Sequence, residues 1–118
     1  MTNTVGTLLR HAELEEIVRL LFESYSVRCV TIEPIAASTA TYPVTCLIID
    51  WLQCTSRERQ QILRWEHSTS RMVVDLSGMM ARSPSRRIFK PPFAWRAVVE
   101  AVLFQTAGAG HGHMMNYG

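Results

Sequence analysis

Two apolar runs constrain the fold most. Residues 44–50 hold Val44, Cys46, Leu47, Ile48 and Ile49 and close on Asp50. Residues 71–77 hold Met72, Val73, Val74, Asp75 and Leu76 and close on Ser77. A strand with one wet face alternates apolar and polar side chains. These runs do not alternate, so both faces of each are expected to be buried, as in the centre of a parallel sheet. Asp75 lies inside the second run, on the same strand face as Ser77. A buried acid needs a partner, and a nearby arginine is expected to supply it, in a structural role.

The segments around these runs read as alternating strands and helices. Thr4 to Leu9 is a short, weak strand candidate. His11 to Tyr25 places Leu14, Ile17, Val18, Leu21 and Tyr25 at helical spacing, with Glu13, Glu15 and Glu16 in the early turns, where the helix dipole favours acids. Val27 to Ile32 is rich in β-branched residues and reads as a strand. Glu33 to Pro43, interrupted by Pro34 and Pro43, is a loop or at most one helical turn. Thr55-Ser56-Arg57-Glu58 has capping-box spacing and opens a helix through Trp65. Residues 78–85 are irregular, Arg86 to Phe89 is a short fifth strand, and Phe93 to Gln105 is a helix with Trp95, Val98, Val99, Val102 and Leu103 on one face.

This β-α-β-loop-β-α-β-loop-β-α order predicts an α/β domain with a parallel sheet covered on both faces. Right-handed crossovers narrow the topology, and five strands fit the flavodoxin-like order 2-1-3-4-5. Ligands of such sheets bind at the carboxyl ends of the strands. Asp50, Ser77 and Lys90 end the third, fourth and fifth strands, so they are expected on one rim.

Composition narrows the surroundings. The chain of 118 residues is read as one domain over residues 1–106, followed by a Gly- and His-rich tail at 107–118, a linker end or tag-like scar. A net charge of +2 is too weak to imply nucleic-acid binding. Three cysteines, Cys29, Cys46 and Cys54, are an odd number without paired spacing, which argues against a disulfide framework and for a reducing compartment. No apolar run nears the ~20 residues of a membrane span, and the first residues do not resemble a signal peptide. A cytoplasmic location without membrane contact is expected, and the tail is in keeping with a domain cut from a longer protein. His111 and His113 with Cys46 or Cys54 make a poor zinc set, and nothing pairs His11 or His67 with a particular thiol. A flavin or nucleotide domain would need a glycine-rich phosphate loop after the first strand, and Arg10-His11-Ala12 offers none.

The segment Arg87-Ile88-Phe89-Lys90-Pro91-Pro92-Phe93 resembles the end of the fifth strand in response-regulator receiver domains. There a Lys-Pro motif precedes the last helix. The resemblance covers roughly residues 4–105. It implies Asp50 as the phospho-accepting position, Ser77 as the hydroxyl that meets the phosphoryl group, Lys90 as the lysine that reaches that group, and a cis Lys90–Pro91 bond. The departures are equally specific. Receivers hold Mg²⁺ with an acidic pair at the end of strand one, where this chain has Leu9, Arg10 and His11. Mg²⁺ needs oxygen ligands, usually carboxylates, so the resemblance implies no metal unless the site is unusual. Trp51-Leu52-Gln53-Cys54 replaces the usual segment after the aspartate, and Arg87 falls near the aromatic switch position. The short interval from Ser77 to Lys90 implies a missing or reduced fourth helix, and the second is similarly eroded.

The expectation is therefore a degenerate, non-enzymatic receiver-like domain in two-component signalling. It would act by protein–protein interaction on a sensor kinase, histidine phosphotransfer or output domain, or as a homodimer. Its relic site is Asp50, Ser77 and Lys90, with Arg10 or His11 placing fixed positive charge beside Asp50. The plain counterpart is an Asp50–Lys90 ion pair and a solvated helix start. The active alternative is a phosphorelay receiver that phosphorylates Asp50 with Mg²⁺. Arg82, Arg86, Arg87 and Lys90, with Ser83 and Ser85, form a basic loop that either binds phosphate-bearing or acidic partners or is simply solvated. Arg87, Ala94, Ala97, Ala101 and Phe104 form the expected interaction face.

Overall fold

The computed structural model describes residues 3–32, 44, 46–69 and 72–107. Five strands, β1 (Asn3–Leu8), β2 (Val27–Thr31), β3 (Cys46–Ile49), β4 (Met72–Asp75) and β5 (Arg86–Ile88), form one all-parallel sheet in the order β2-β1-β3-β4-β5. This is the flavodoxin-like arrangement. Three α-helices cover it: α1 (Ala12–Glu23), α2 (Ser56–Thr69) and α3 (Trp95–Ala107).

Side-chain alternation along the central strands divides the core into two layers. Val5, Cys46, Ile48, Met72 and Val74 face α1 and α3, where Val18, Phe22, Val98, Val99 and Val102 meet them. Leu47, Ile49 and Val73 face α2, where Ile62 and Trp65 meet them. Both faces of β3 and β4 are buried, which is why their sequences show no period of two. Full burial of side chains such as Phe22 or Ile62 contributes roughly 2–3 kcal/mol each. The face of α3 is as read from the sequence. The face of α1 is not: Phe22 is buried, whereas Ile17 and Tyr25 are 47% and 48% exposed. Leu14, Val18, Leu21 and Phe22 make the line that meets the sheet. Ile17 lies to one side of that line, and Tyr25 falls beyond the helix end.

Polar side chains fix the element ends. Glu15 of α1 accepts from the hydroxyls of Thr7 and Thr31, tying the helix to β1 and β2. The capping box is formed: the Glu58 N–H donates to Thr55 Oγ1 (3.1 Å), and the Thr55 N–H donates to Glu58 Oε1 (2.9 Å).

Residues 76–85, between β4 and β5, contain no helix, so the expected loss of a fourth helix holds. The sequence reading of 33–43 as a loop, and of the tail from 108 onward, falls outside the described residues. The cis bond is Pro91–Pro92 rather than Lys90–Pro91. Phe93 and Ala94 precede α3 instead of opening it. No described helix is long and apolar enough to cross a membrane.

Candidate functional site at the carboxyl edge of the sheet

Asp50 directly follows β3, Ser77 stands two residues past β4, and Lys90 two past β5. Because β3, β4 and β5 are adjacent and parallel, all three residues lie at the same edge. The side chains are arranged differently from the simple expectation.

Asp75 organises this edge. Its side chain is fully buried and accepts five hydrogen bonds. Oδ1 takes the N–H of Trp51 (3.1 Å) and both the N–H (2.9 Å) and the hydroxyl (2.8 Å) of Ser77. Oδ2 takes the N–H groups of Met79 and Met80, each at 3.0 Å. The partner of the buried acid is thus a set of backbone amides, not an arginine. Anionic acceptors make the stronger hydrogen bonds, and four amides around one carboxylate determine the path of the loop after β4. The same carboxylate reaches across to β3 and holds the residue after Asp50. The Ser77 hydroxyl, being donated to Asp75, is not turned to Asp50.

Gly78 brings that loop against Lys90. It has φ +76°, and a Cβ placed on it would lie 2.8 Å from Lys90 Cα. The left-handed conformation and the close approach both require glycine here. Gly78→Ala is expected to lower stability by about 2 kcal/mol, read as a fall in the urea midpoint at unchanged slope.

Asp50 is half-buried, and its Oδ1 is shielded from solvent with no hydrogen-bond partner. Lys90 is exposed. No ion pair joins them among the described residues, so the plain expectation of an Asp50–Lys90 pair fails. The segment after Asp50 is held firmly. Residues Trp51–Gln53 make one 3₁₀ turn, and the Cys54 thiol donates to Asp50 O at 3.4 Å. Arg59 stacks over the Trp51 ring at 4.9 Å and donates twice to Trp51 O, at 3.1 and 2.8 Å.

At the end of β1, Arg10 forms an ion pair with the buried carboxylate of Glu58. The expectation that Arg10 turns to Asp50 is corrected. Glu58, the capping residue 48 positions away, is its partner, because a buried carboxylate gains more from a cation than a half-exposed one does. His11 stands at the start of α1, exposed and without a side-chain cap bond. The donor set does not fit Mg²⁺. Both Glu58 oxygens are engaged, by Arg10 and by the Thr55 N–H. The Arg10 guanidinium lies against Glu58 at the end of β1, and among the described acids Asp50, Glu58 and Asp75 of this edge only Asp50 has a buried carboxylate oxygen without a partner. Among the described residues no three His, Cys, Asp or Glu side chains come together to hold a metal. His111 and His113 lie outside the described residues.

The three cysteines are free. Burial, followed by Glu23, pushes the Cys29 thiol up to about 11. Burial, followed by Glu58, pushes Cys54 up to about 12, and burial raises Cys46 as well. All three stay protonated at neutral pH, so none is an activated nucleophile.

The basic loop divides in two. Arg86 is not solvated: it makes a bidentate pair with buried Glu66 of α2, Nε to Oε2 and Nη2 to Oε1, both 2.9 Å. It also donates to Ala81 O at 2.7 Å, while Ser85 Oγ donates to Glu66 Oε2 at 2.8 Å. Arg82, Arg87 and Lys90 remain exposed. Of the expected interaction face, Arg87, Ala94, Ala97 and Phe104 are exposed and Ala101 is half-buried. Sequence reasoning missed Glu66, the second role of Glu58, and the contact of Gly78 with Lys90. Only the Thr55-x-x-Glu58 spacing carried a local signal, and it announced the cap rather than the ion pair.

No family model, curated protein or solved structure matches the chain.

Proposed function

We propose that this domain is a receiver-like signalling module that works through protein–protein contacts rather than through Mg²⁺-dependent phosphorylation. The observation that supports this most is Arg10. It stands at the end of β1 with its charge committed to Glu58, in the position where the receiver pattern requires acids. The strand order and the Asp50, Ser77 and Lys90 positions match that pattern, while the metal ligands do not. Partners of this reading are a sensor kinase, a histidine phosphotransfer domain or an output domain in the cytoplasm, contacted through Arg87, Ala94, Ala97, Ala101 and Phe104.

One observation favours the alternative, a competent phospho-acceptor. Asp50 Oδ1 is buried without a partner, and a buried polar atom left without a partner calls for an explanation, a role in chemistry being one. Phosphoryl transfer needs a cation to neutralise the transferring group, so the two readings separate on a titration. With Mg²⁺ and beryllofluoride or acetyl phosphate, the amide spectrum around Asp50 is expected to stay unchanged. Saturable shifts that vanish in Asp50→Asn would transfer the case to the alternative.

A further inference from the structure

We propose that this chain self-associates head to tail, with the outward face of α1 of one copy lying in a basic groove beside β5 of the next. The inference goes beyond the signalling reading and stands whether or not Asp50 takes up a phosphoryl group.

The groove is the space left where no helix joins β4 to β5. It is open, has a volume of about 1060 Å³, and runs between the 76–85 loop, β5 and α3. Met80, Ile88 and Phe104 give it apolar walls, and Arg82, Arg87 and Lys90 give it a cationic rim. None of these three cations has an acid within ion-pair distance among the described residues; Glu66, the acid beside the groove, is consumed by Arg86. Phe104 is 63% exposed. The surface calls for an occupant that is both apolar and negatively charged.

The chain presents such a surface on α1. Glu13, Glu16, Ile17, Leu20 and Glu23 are all exposed and recur at helical spacing. Leu20 is 54% exposed, although it sits near the centre of this outward face. Four glutamates against one arginine leave the helix with a net charge of −3; Glu16 and Glu23 share Arg19 as their intrahelical partner, at 2.9 and 3.8 Å, while among the described residues no ion pair engages Glu13. An amphipathic helix entering a groove with its apolar residues as anchors is a recurrent mode of recognition, and here the charges are complementary as well.

The two surfaces cannot meet within one molecule. α1 packs on β2, at one end of the sheet, and the groove follows β5 at the other. A two-fold contact through the groove alone would set Arg82, Arg87 and Lys90 against the same cations of the partner. The favourable contact joins different surfaces, so it does not close at a dimer and extends to rings or filaments.

Sedimentation velocity of the whole chain over rising concentration tests this. The wild-type mass is expected to grow past the dimer, and to fall back in high salt, which screens exposed charges. A groove variant, Arg87→Ser with Phe104→Ser, and a helix variant, Glu13→Lys with Leu20→Lys, are each expected to be monomeric. All four positions are exposed, and circular dichroism checks that both variants fold. Mixed together, each variant supplies the surface the other lacks, so the mixture is expected to form a 1:1 dimer of twice the monomer mass and stop there. A wild type that stays monomeric at all concentrations would overturn the proposal. So would variants that associate like the wild type, or a mixture of folded variants that stays monomeric.

Discussion

Asp75→Ala is expected to lower the unfolding free energy of the domain by about 3 kcal/mol. The side chain is fully buried and accepts from four backbone amides and one hydroxyl. Removing it strands those donors. The Met80 N–H lies on a buried residue, and a buried donor without an acceptor costs roughly 1–3 kcal/mol. Met79 is exposed, so water replaces part of what its N–H loses, which keeps the total below the sum of the separate bonds. Ser77→Ala removes the bond the hydroxyl donates to Asp75 and the longer one it accepts from the Met79 N–H (3.2 Å), and is expected to cost about 1 kcal/mol. Asp75→Asn, which keeps one oxygen acceptor, is expected to fall between them. Urea titration measures the order, and hydrogen exchange adds a local readout. Exchange at Trp51, Met79 and Met80 should accelerate together in Asp75→Ala, because one carboxylate restrains all three. An alanine variant with the wild-type midpoint would mean that the loop after β4 is held by packing instead, and that Asp75 does not position the edge where Asp50 and Lys90 lie.

Breaking the Arg86–Glu66 pair is expected to be as damaging. Arg86 and Glu66 side chains are 14% and 8% exposed, and their contact is bidentate. The hydrogen bonds that the guanidinium donates to Glu66 hold its charge more firmly, raising its pKa against the lowering effect of burial. Glu66→Ala or Arg86→Ala leaves the other charge largely buried without its counter-charge, Arg86 keeping only Ala81 O and Glu66 only the Ser85 hydroxyl, which costs about 3 kcal/mol. Glu66→Leu with Arg86→Met removes both charges and keeps apolar volume. It is expected to recover most of the loss, because the single-variant cost is chiefly that of the stranded partner. A double-mutant cycle on thermal or urea unfolding gives the coupling, expected at about 2 kcal/mol. Additive losses would show that the two side chains act through separate neighbours. The pair joins the buried Glu66 of α2 to β5 and, through Ala81, to the 76–85 loop. It therefore supplies some of the restraint that a fourth helix would otherwise give, and it shapes one wall of the groove.

Much of the architecture was legible in the chain because it depends on local periodicity. Residues 46–49 and 72–75 are buried on both faces, and their unbroken apolar runs follow from that. The cap of α2 was legible because both partners lie within four residues. The face of α3 was legible because its valines repeat at helical spacing. The orientation of α1 was read too broadly: Ile17 is apolar, yet half of it is exposed, and composition cannot distinguish a buried residue from one beside the contact line.

The sequence by itself determined the parallel five-stranded sheet, its order, and the placement of Asp50, Ser77 and Lys90 at one edge, because strand ends and crossovers follow from short-range patterns. It also determined that Leu9, Arg10 and His11, at the end of the first strand, include no acid. What each side chain at that edge touches was decided only by the tertiary structure. Arg10 meets Glu58, 48 residues on; Arg86 meets Glu66, 20 residues back; Asp75 meets the N–H of Trp51, 24 residues back. Choices between a cation and one of several acids depend on burial, and burial exists only once the sheet and helices have packed. For the same reason no reading of residues in line could place the exposed acids of α1 and the exposed cations beside β5 at opposite ends of one sheet.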